Sequence, residues 1–274
     1  MATQAATFTR PMTPSSAGVL LPAFTLWWRE IVRFYRQPGR VIGVLASPLV
    51  FWIVLGSGFG TSLRSTGGDQ QHYLDYFYPG TLILIVLFTS IFTMMSVIED
   101  RKEGFLLSVL VAPVPRTAIV LGKVLGGTTL SAVQGLIFLI FAPFAGVHLE
   151  LVQVLLAAVV VFLVSFSLTA LGFAIAWPMD SSQAFHGIVN LFLIPLWLLS
   201  GALFQLDSAS GWIRAIMRLN PLTYGVKALR LLLYPGQDHS FELKSAMATL
   251  VLFSLVMFGL ALLMANRRTT RPAA

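Results

Sequence analysis

Six long apolar stretches, with scarcely an ionisable side chain inside any of them, divide the chain at 41–59, 79–98, 124–147, 151–177, 188–206 and 245–265. Crossing a hydrocarbon core of ~30 Å takes ~20 helical residues at ~1.5 Å rise each, and every stretch is near that length. A soluble core cannot bury six such segments in 274 residues. The pattern predicts an all-α, polytopic membrane protein with six transmembrane helices.

Two other segments have helical periodicity but are too polar or too short to cross. In 21–40, Arg29, Arg33, Arg36 and Arg40 recur at three- and four-residue steps as one basic stripe, with Phe24, Trp27, Trp28, Ile31 and Tyr35 on the apolar side. A helix of that kind lies in the interface plane, so an N-terminal amphipathic interface helix is expected. It either anchors the chain alone or also touches a cytoplasmic partner. Pro38–Gly39 turns the chain into the first span. In 207–236, two short patterns at 210–219 and 223–233 are broken at Asn220–Pro221, because proline lacks a donor and restricts the residue before it. Each is of re-entrant or interfacial length. Arg214 with Arg218, and Lys227 with Arg230, give each helix a basic edge that can snorkel to headgroups. The segment reads as an outer re-entrant hairpin, either a cap on span ends or an exit vestibule.

The charge distribution gives an orientation. Of the 18 Lys and Arg, twelve fall in the N-terminal segment, the 99–123 loop and the C-terminal tail, and six in the other loops. The positive-inside bias then puts both termini in the cytoplasm. The formal charge of +7 belongs to these membrane borders and is no nucleic-acid footprint. With 57% hydrophobic and 11% charged residues, no soluble domain of useful size fits. Cysteine is absent, so there is no disulfide or thiolate ligand. The expected organisation is a disordered 1–20 segment, the interface helix at 21–40, a six-span domain at 41–266 and a cytoplasmic tail at 267–274.

Catalytic patterns are missing. There is no G-x-x-x-x-G-K-[ST], H-E-x-x-H or G-x-S-x-G string, and His72, His148, His186 and His239 are scattered singly. No aspartate sits in mid-span, and the polar groups inside spans are neutral ones such as Gln134 and Asn190. No catalytic residue and no metal ligand set is expected. Any work done on a cargo then draws its energy from a partner.

Between the second and third spans lies Glu99-Asp100-Arg101-Lys102-Glu103-Gly104, followed by 105–112 and the stop Pro113-Val114-Pro115-Arg116. Glu99 and Glu103 are one helical turn apart, and Leu106, Leu107 and Leu110 supply an apolar side. By spacing alone this is a solvated cap on span two. Taken in order with the 21–40 helix, Gly122-Lys123, Ser200-Gly201-Ala202-Leu203-Phe204, Asn220-Pro221-Leu222-Thr223-Tyr224 and Leu229-Arg230, the run resembles the ABC-2 type permeases, the membrane subunits of bacterial ABC exporters of drugs, nodulation factors and polysaccharides. Gln205 stands where the drug-exporter branch often has proline.

The resemblance implies specific roles. Glu99, Asp100, Arg101, Lys102, Glu103 and Gly104 would form the helix that couples to a separate ATPase subunit, within a coupling loop at 99–116. Trp27, Trp28, Arg29, Arg33 and Arg36 of the interface helix would flank that contact. The hairpin would carry Trp212, Arg214, Arg218, Asn220, Pro221, Tyr224 and Arg230. No cofactor would be bound by this chain; ATP and Mg would sit on the ATPase. The other partners implied are a second permease copy or a similar permease, and membrane lipids, in the bacterial inner membrane. The cargo would be a hydrophobic or amphiphilic drug, lipid or glycolipid. A lipid-linked polysaccharide is the alternative cargo, and a membrane-embedded lipid-modifying enzyme the alternative class.

Overall fold

The computed structural model describes residues 18–36, 70–145, 150–203, 210–234 and 240–267, with Val147 and isolated positions between 39 and 54. All elements among them are helical: α1 (Leu20–Tyr35), α2 (Gln70–Thr93), α3 (Met95–Lys102), α4 (Phe105–Val111), α5 (Arg116–Leu139), a 3-10 turn (Ala142–Ala145), α6 (Leu151–Ala176), α7 (Ser182–Trp197) closed by a π turn (Leu198–Ala202), α8 (Gly211–Leu219), α9 (Pro221–Leu233) and α10 (Ser240–Asn266). Five stretches are long and apolar enough to cross a membrane: Tyr76–Lys102, Arg116–Leu139, Leu151–Ala176, Ser182–Ala202 and Phe241–Asn266. They correspond to the second to sixth expected spans. The expected first span at 41–59, the 1–17 segment and the tail beyond 267 lie outside the described residues.

Local chemistry accounts for the boundaries. Pro113 and Pro115 separate α4 from α5, and Pro115 is the extended residue preceding α5. Glu150 and Gln153 form a capping box at the start of α6. Ser181 caps α7 by accepting from the Ala184 N–H. Asn220 caps α9, with Pro221 at its first position. Four spans start earlier than the expected bounds, the third by the most, and the fourth starts where expected. The second runs through Pro79, and α5 begins at Arg116, so Lys123 lies within a helix rather than in a loop.

The Tyr76–Lys102 span is the centre of the bundle: 83% of its most apolar window is buried, against 33% for Ser182–Ala202 and 17% for Phe241–Asn266. It packs on α5, α6 and α9, while α10 packs on α6 and α9. Gly225 lets α9 approach Val164 and Ile83. The helices have two clear ends. Arg116 donates to the Ala265 carbonyl at the end that also holds α3 and α4. Tyr76 meets Gly201 at the opposite end.

Helix α1 lies along α5 with Ala23, Leu26, Glu30 and Phe34 inward. The spacing gave it an aromatic apolar face, and most of that face does not dock: Phe24, Trp28 and Tyr35 stay exposed, while Trp27 reaches α5. Small residues on α5 make the approach close enough to exclude a side chain. A Cβ at Gly122 would stand 2.7 Å from both the Ala23 carbonyl oxygen and the Leu26 Cβ. Gly122→Val is therefore expected to lose about 1–3 kcal/mol through overpacking, with faster tryptic cleavage after Arg29 and Arg33. Unchanged thermal stability and digestion would refute this packing.

Candidate functional site

Asp100 is fully buried at the end of α3, and its carboxylate accepts four hydrogen bonds. Arg29 grips it as a fork, Nη1 to Oδ2 at 2.9 Å and Nη2 to Oδ1 at 2.7 Å. Arg33 Nη1 reaches Oδ1 at 2.7 Å. Lys123 closes on Oδ2 from α5. An ionised carboxylate has about four lone-pair sites, so all are used. The Lys123 ammonium is satisfied as well: its remaining donors reach Glu30 Oε1 at 2.6 Å and Ser96 Oγ at 3.2 Å. Three residues of α1 (Arg29, Glu30 and Arg33), two of α3 (Ser96 and Asp100) and Lys123 of α5 thus join in one network.

The network extends to the surface. Arg33 Nη2 donates to Glu99 Oε2 at 2.8 Å and pairs with Glu103 Oε1 at 3.6 Å. The Arg29 guanidinium also stacks 3.7 Å over the Phe105 ring of α4. Burial alone would lower the pKa of Arg29, but the hydrogen bonds and charge of Asp100, helped by Glu30 and Glu103, hold it above the ordinary arginine value. Arg36 is exposed, and Trp27 donates its indole N–H to Thr129 Oγ1 at 3.0 Å.

Beyond Asp100 the chain reverses sharply. Gly104 takes φ +76°, a left-handed conformation that glycine adopts without a Cβ clash. It joins α3 to α4 as a tight hairpin. Lys102 and Glu103 are exposed at its turn, and Leu107, Leu110 and Val111 are exposed along α4. Leu106 faces inward, which divides the leucines expected on one face. Arg101 turns away from the ion network: Nη1 donates to the Met179 carbonyl at 2.8 Å and to Asp180 Oδ1 at 3.0 Å, and Nη2 to the Trp177 carbonyl.

At the opposite end the groups expected in the hairpin lock the π turn. Gly201, at φ +80°, presents its carbonyl to Tyr76 OH and Arg230 Nη2, both at 3.1 Å. The Arg230 guanidinium lies 3.9 Å over the Tyr76 ring, so it points into the bundle rather than to headgroups. Asn220, besides capping α9, donates to the Leu196 carbonyl at 2.6 Å and the Leu199 carbonyl at 3.0 Å. Tyr224 OH donates to the Arg218 carbonyl at 2.9 Å, tying α9 back to α8. Trp212 and Arg218 are exposed. Between α5 and α6 lies an apolar cavity of about 510 Å³ lined by Val133, Leu136, Ile140, Val147 and Val154.

Glu30 and Lys123 were not among the residues expected here. Glu30 shares a helical face with Ala23, Leu26 and Phe34, and that i−7, i−4, i+4 pattern was the signal for it. No group of residues able to hold a metal ion occurs among the described residues. Because Lys123 serves two buried carboxylates, Lys123→Met is expected to destabilise the protein by about 3–5 kcal/mol. The check is thermal unfolding in detergent, with Lys123→Arg as the charge-preserving control.

Residues 23–234 match the family model described as ABC-2 type transporter. The chain is 27% identical to the transport permease ycf38 of Cyanophora paradoxa, over 86% of each chain. It is 25% identical to the daunorubicin resistance ABC transporter permease protein DrrB1 of Streptomyces coeruleorubidus, over 81% of this chain and 78% of that one. Against the inner membrane transport permease YadH of Escherichia coli K12 the identity is 28%, over 75% of this chain and 80% of that one. A match of that extent, on a bundle with five helices able to span a bilayer, establishes that the chain belongs to the ABC-2 type transporter family.

Proposed function

We propose that this chain is the permease subunit of an ATP-driven exporter, moving a hydrophobic or amphiphilic molecule out of the cytoplasm or inner leaflet. A separate ATPase subunit, carrying ATP and Mg, supplies the energy. The observation that carries this reading is the α3–α4 hairpin. Its base is fixed by Asp100 to α1 and α5, while its turn and outer face present Lys102, Glu103, Leu107 and Val111 outward. A rigidly seated hairpin with a charged tip and an apolar outer face suits docking into a groove on a moving partner.

The topology fits six crossings. Helix α1 is held at the Asp100 end, whereas α2 starts near Gly201 at the other. Six crossings, with the apolar run at 41–59 as the first, account for that separation. The Asp100 end, with α1 and both termini, is then cytoplasmic, and α8–α9 forms the outer hairpin. Helix α1 would lay Phe24, Trp28 and Tyr35 in the headgroup region. The names of DrrB1 and YadH support a drug-like cargo and an inner-membrane location. The apolar cavity between α5 and α6 is chemically suited to a hydrophobic guest. A second permease copy would complete the membrane half.

Two measurements test this. Tagged chain purified gently from native membranes is expected to bring down a P-loop ATPase, and Glu103→Lys to weaken that association about tenfold, as a charge reversal at a contact rim does. Reproducible recovery of the chain alone would remove the exporter reading, and equal recovery with Glu103→Lys would remove the docking role. Because the chain has no cysteine, single cysteines report sidedness directly. Trp212→Cys is expected to react with an impermeant maleimide on intact spheroplasts, and Val111→Cys only after permeabilisation. The reverse pattern inverts the orientation.

A further inference from the structure

Asp100 and Arg101 are adjacent on α3, so their side chains leave the helix about 100° apart. Asp100 reaches α1 and α5. Arg101 reaches the corner between α6 and α7, where it does two things. Its fork takes the carbonyls of Trp177 and Met179, just past the end of the 26-residue α6, beside the helix's negative pole. It also takes the carboxylate of Asp180, the residue before the Ser181 cap of α7. Pro178 between these carbonyls has no N–H to offer them.

Helix α7 is otherwise lightly held. Its main neighbours are α2, α3 and its own π turn, and only 33% of its most apolar window is buried. The Arg101 fork is therefore a principal polar tie between the α3–α4 hairpin and the start of α7.

We propose that Arg101 is a positioning residue that carries movement of the α3–α4 hairpin to the α6–α7 corner and thus to α7, while Asp100 carries it to α1 and α5. This rests on the reading of the hairpin as the ATPase docking element. One helix turn then splits a single push into two outputs, one into the α1–α5 pair and one into the helix freest to move.

The test uses the full chain with the ATPase that co-purifies with it, trapped with Mg-ATP and vanadate. An environment-sensitive fluorophore is placed at Thr117→Cys at the start of α5 or at Gln183→Cys on α7, both exposed positions outside the docking face. In the otherwise unsubstituted chain both labels are expected to respond to trapping. With Arg101→Gln the ATPase should still bind and the label at 117, reached through Asp100, still respond, while the response at 183 falls about fivefold or more. Arg101→Lys, which keeps the charge but not the fork, should be intermediate. Asp180→Ala, at an exposed residue, removes only the carboxylate partner and should give a smaller loss in the same direction; it and Arg101→Lys decide the matter if Arg101→Gln does not fold. An undiminished response at 183 in these variants overturns the proposal. So does loss of ATPase binding in Arg101→Gln and Arg101→Lys alike, which would make Arg101 a docking residue. No ATPase, or no response at either label in the unsubstituted chain, would instead sink the exporter reading beneath it.

Discussion

One carboxylate, Asp100, stands where three helices meet, and cations from two of them occupy every lone pair it has. Removing such a charge from water costs several kcal/mol, and only near-complete hydrogen bonding offsets that. The offset is geometric: a planar Arg29 fork, a second guanidinium from Arg33, and an ammonium whose third direction ends on Ser96. None of these groups can shift far without stranding another. The knot thus makes α1, α3 and the start of α5 move as one piece. The glycines at 122 and 126 serve the same end, since they bring α1 close enough for Glu30 to reach Lys123.

The opposite end is built from different materials. There the ties are mostly hydrogen bonds to backbone carbonyls released by an irregular helix. The π turn after Trp197 leaves the carbonyls of Leu196, Leu199 and Gly201 to side chains of α2, α8–α9 and their junction. The indole N–H of Trp197 crosses to the Gly80 carbonyl at 2.8 Å. Each such bond contributes roughly 1 kcal/mol net, whereas breaking a buried ion pair costs about 3–5 kcal/mol. One end is therefore stiff, and the other can exchange partners one bond at a time.

Much of this was legible in the residues. Length and apolarity gave the five spans that lie among the described residues, and Asn220–Pro221 gave the break between α8 and α9 because capping and proline chemistry act locally. What periodicity could not give was the direction of charged side chains. Arg29, Arg33 and Arg230 read as residues seeking headgroups or solvent, since a basic stripe on an amphipathic helix ordinarily does. Their actual partners, Asp100 and the Gly201 carbonyl, lie 67 to 71 and 29 residues away. Lys123 was hidden for a related reason. A lysine at the border of an apolar run looks like a loop residue until two carboxylates from other helices are brought to it.

The hairpin beyond Asp100 inverts the usual order of a membrane-protein loop. Ordinarily charges face water and apolar residues face the protein. Here Asp100 and Lys123 are buried, while Leu107 and Val111 are left exposed on α4. A free loop gains nothing from that arrangement, because exposed leucine and valine are left in contact with water and a buried ion network must be satisfied almost completely to be tolerated. The arrangement is favourable when something covers α4. The ion knot then has a mechanical meaning: force applied at a covered apolar tip is useful only if its base cannot slip, and a carboxylate held by four donors from two other helices is a base of that kind.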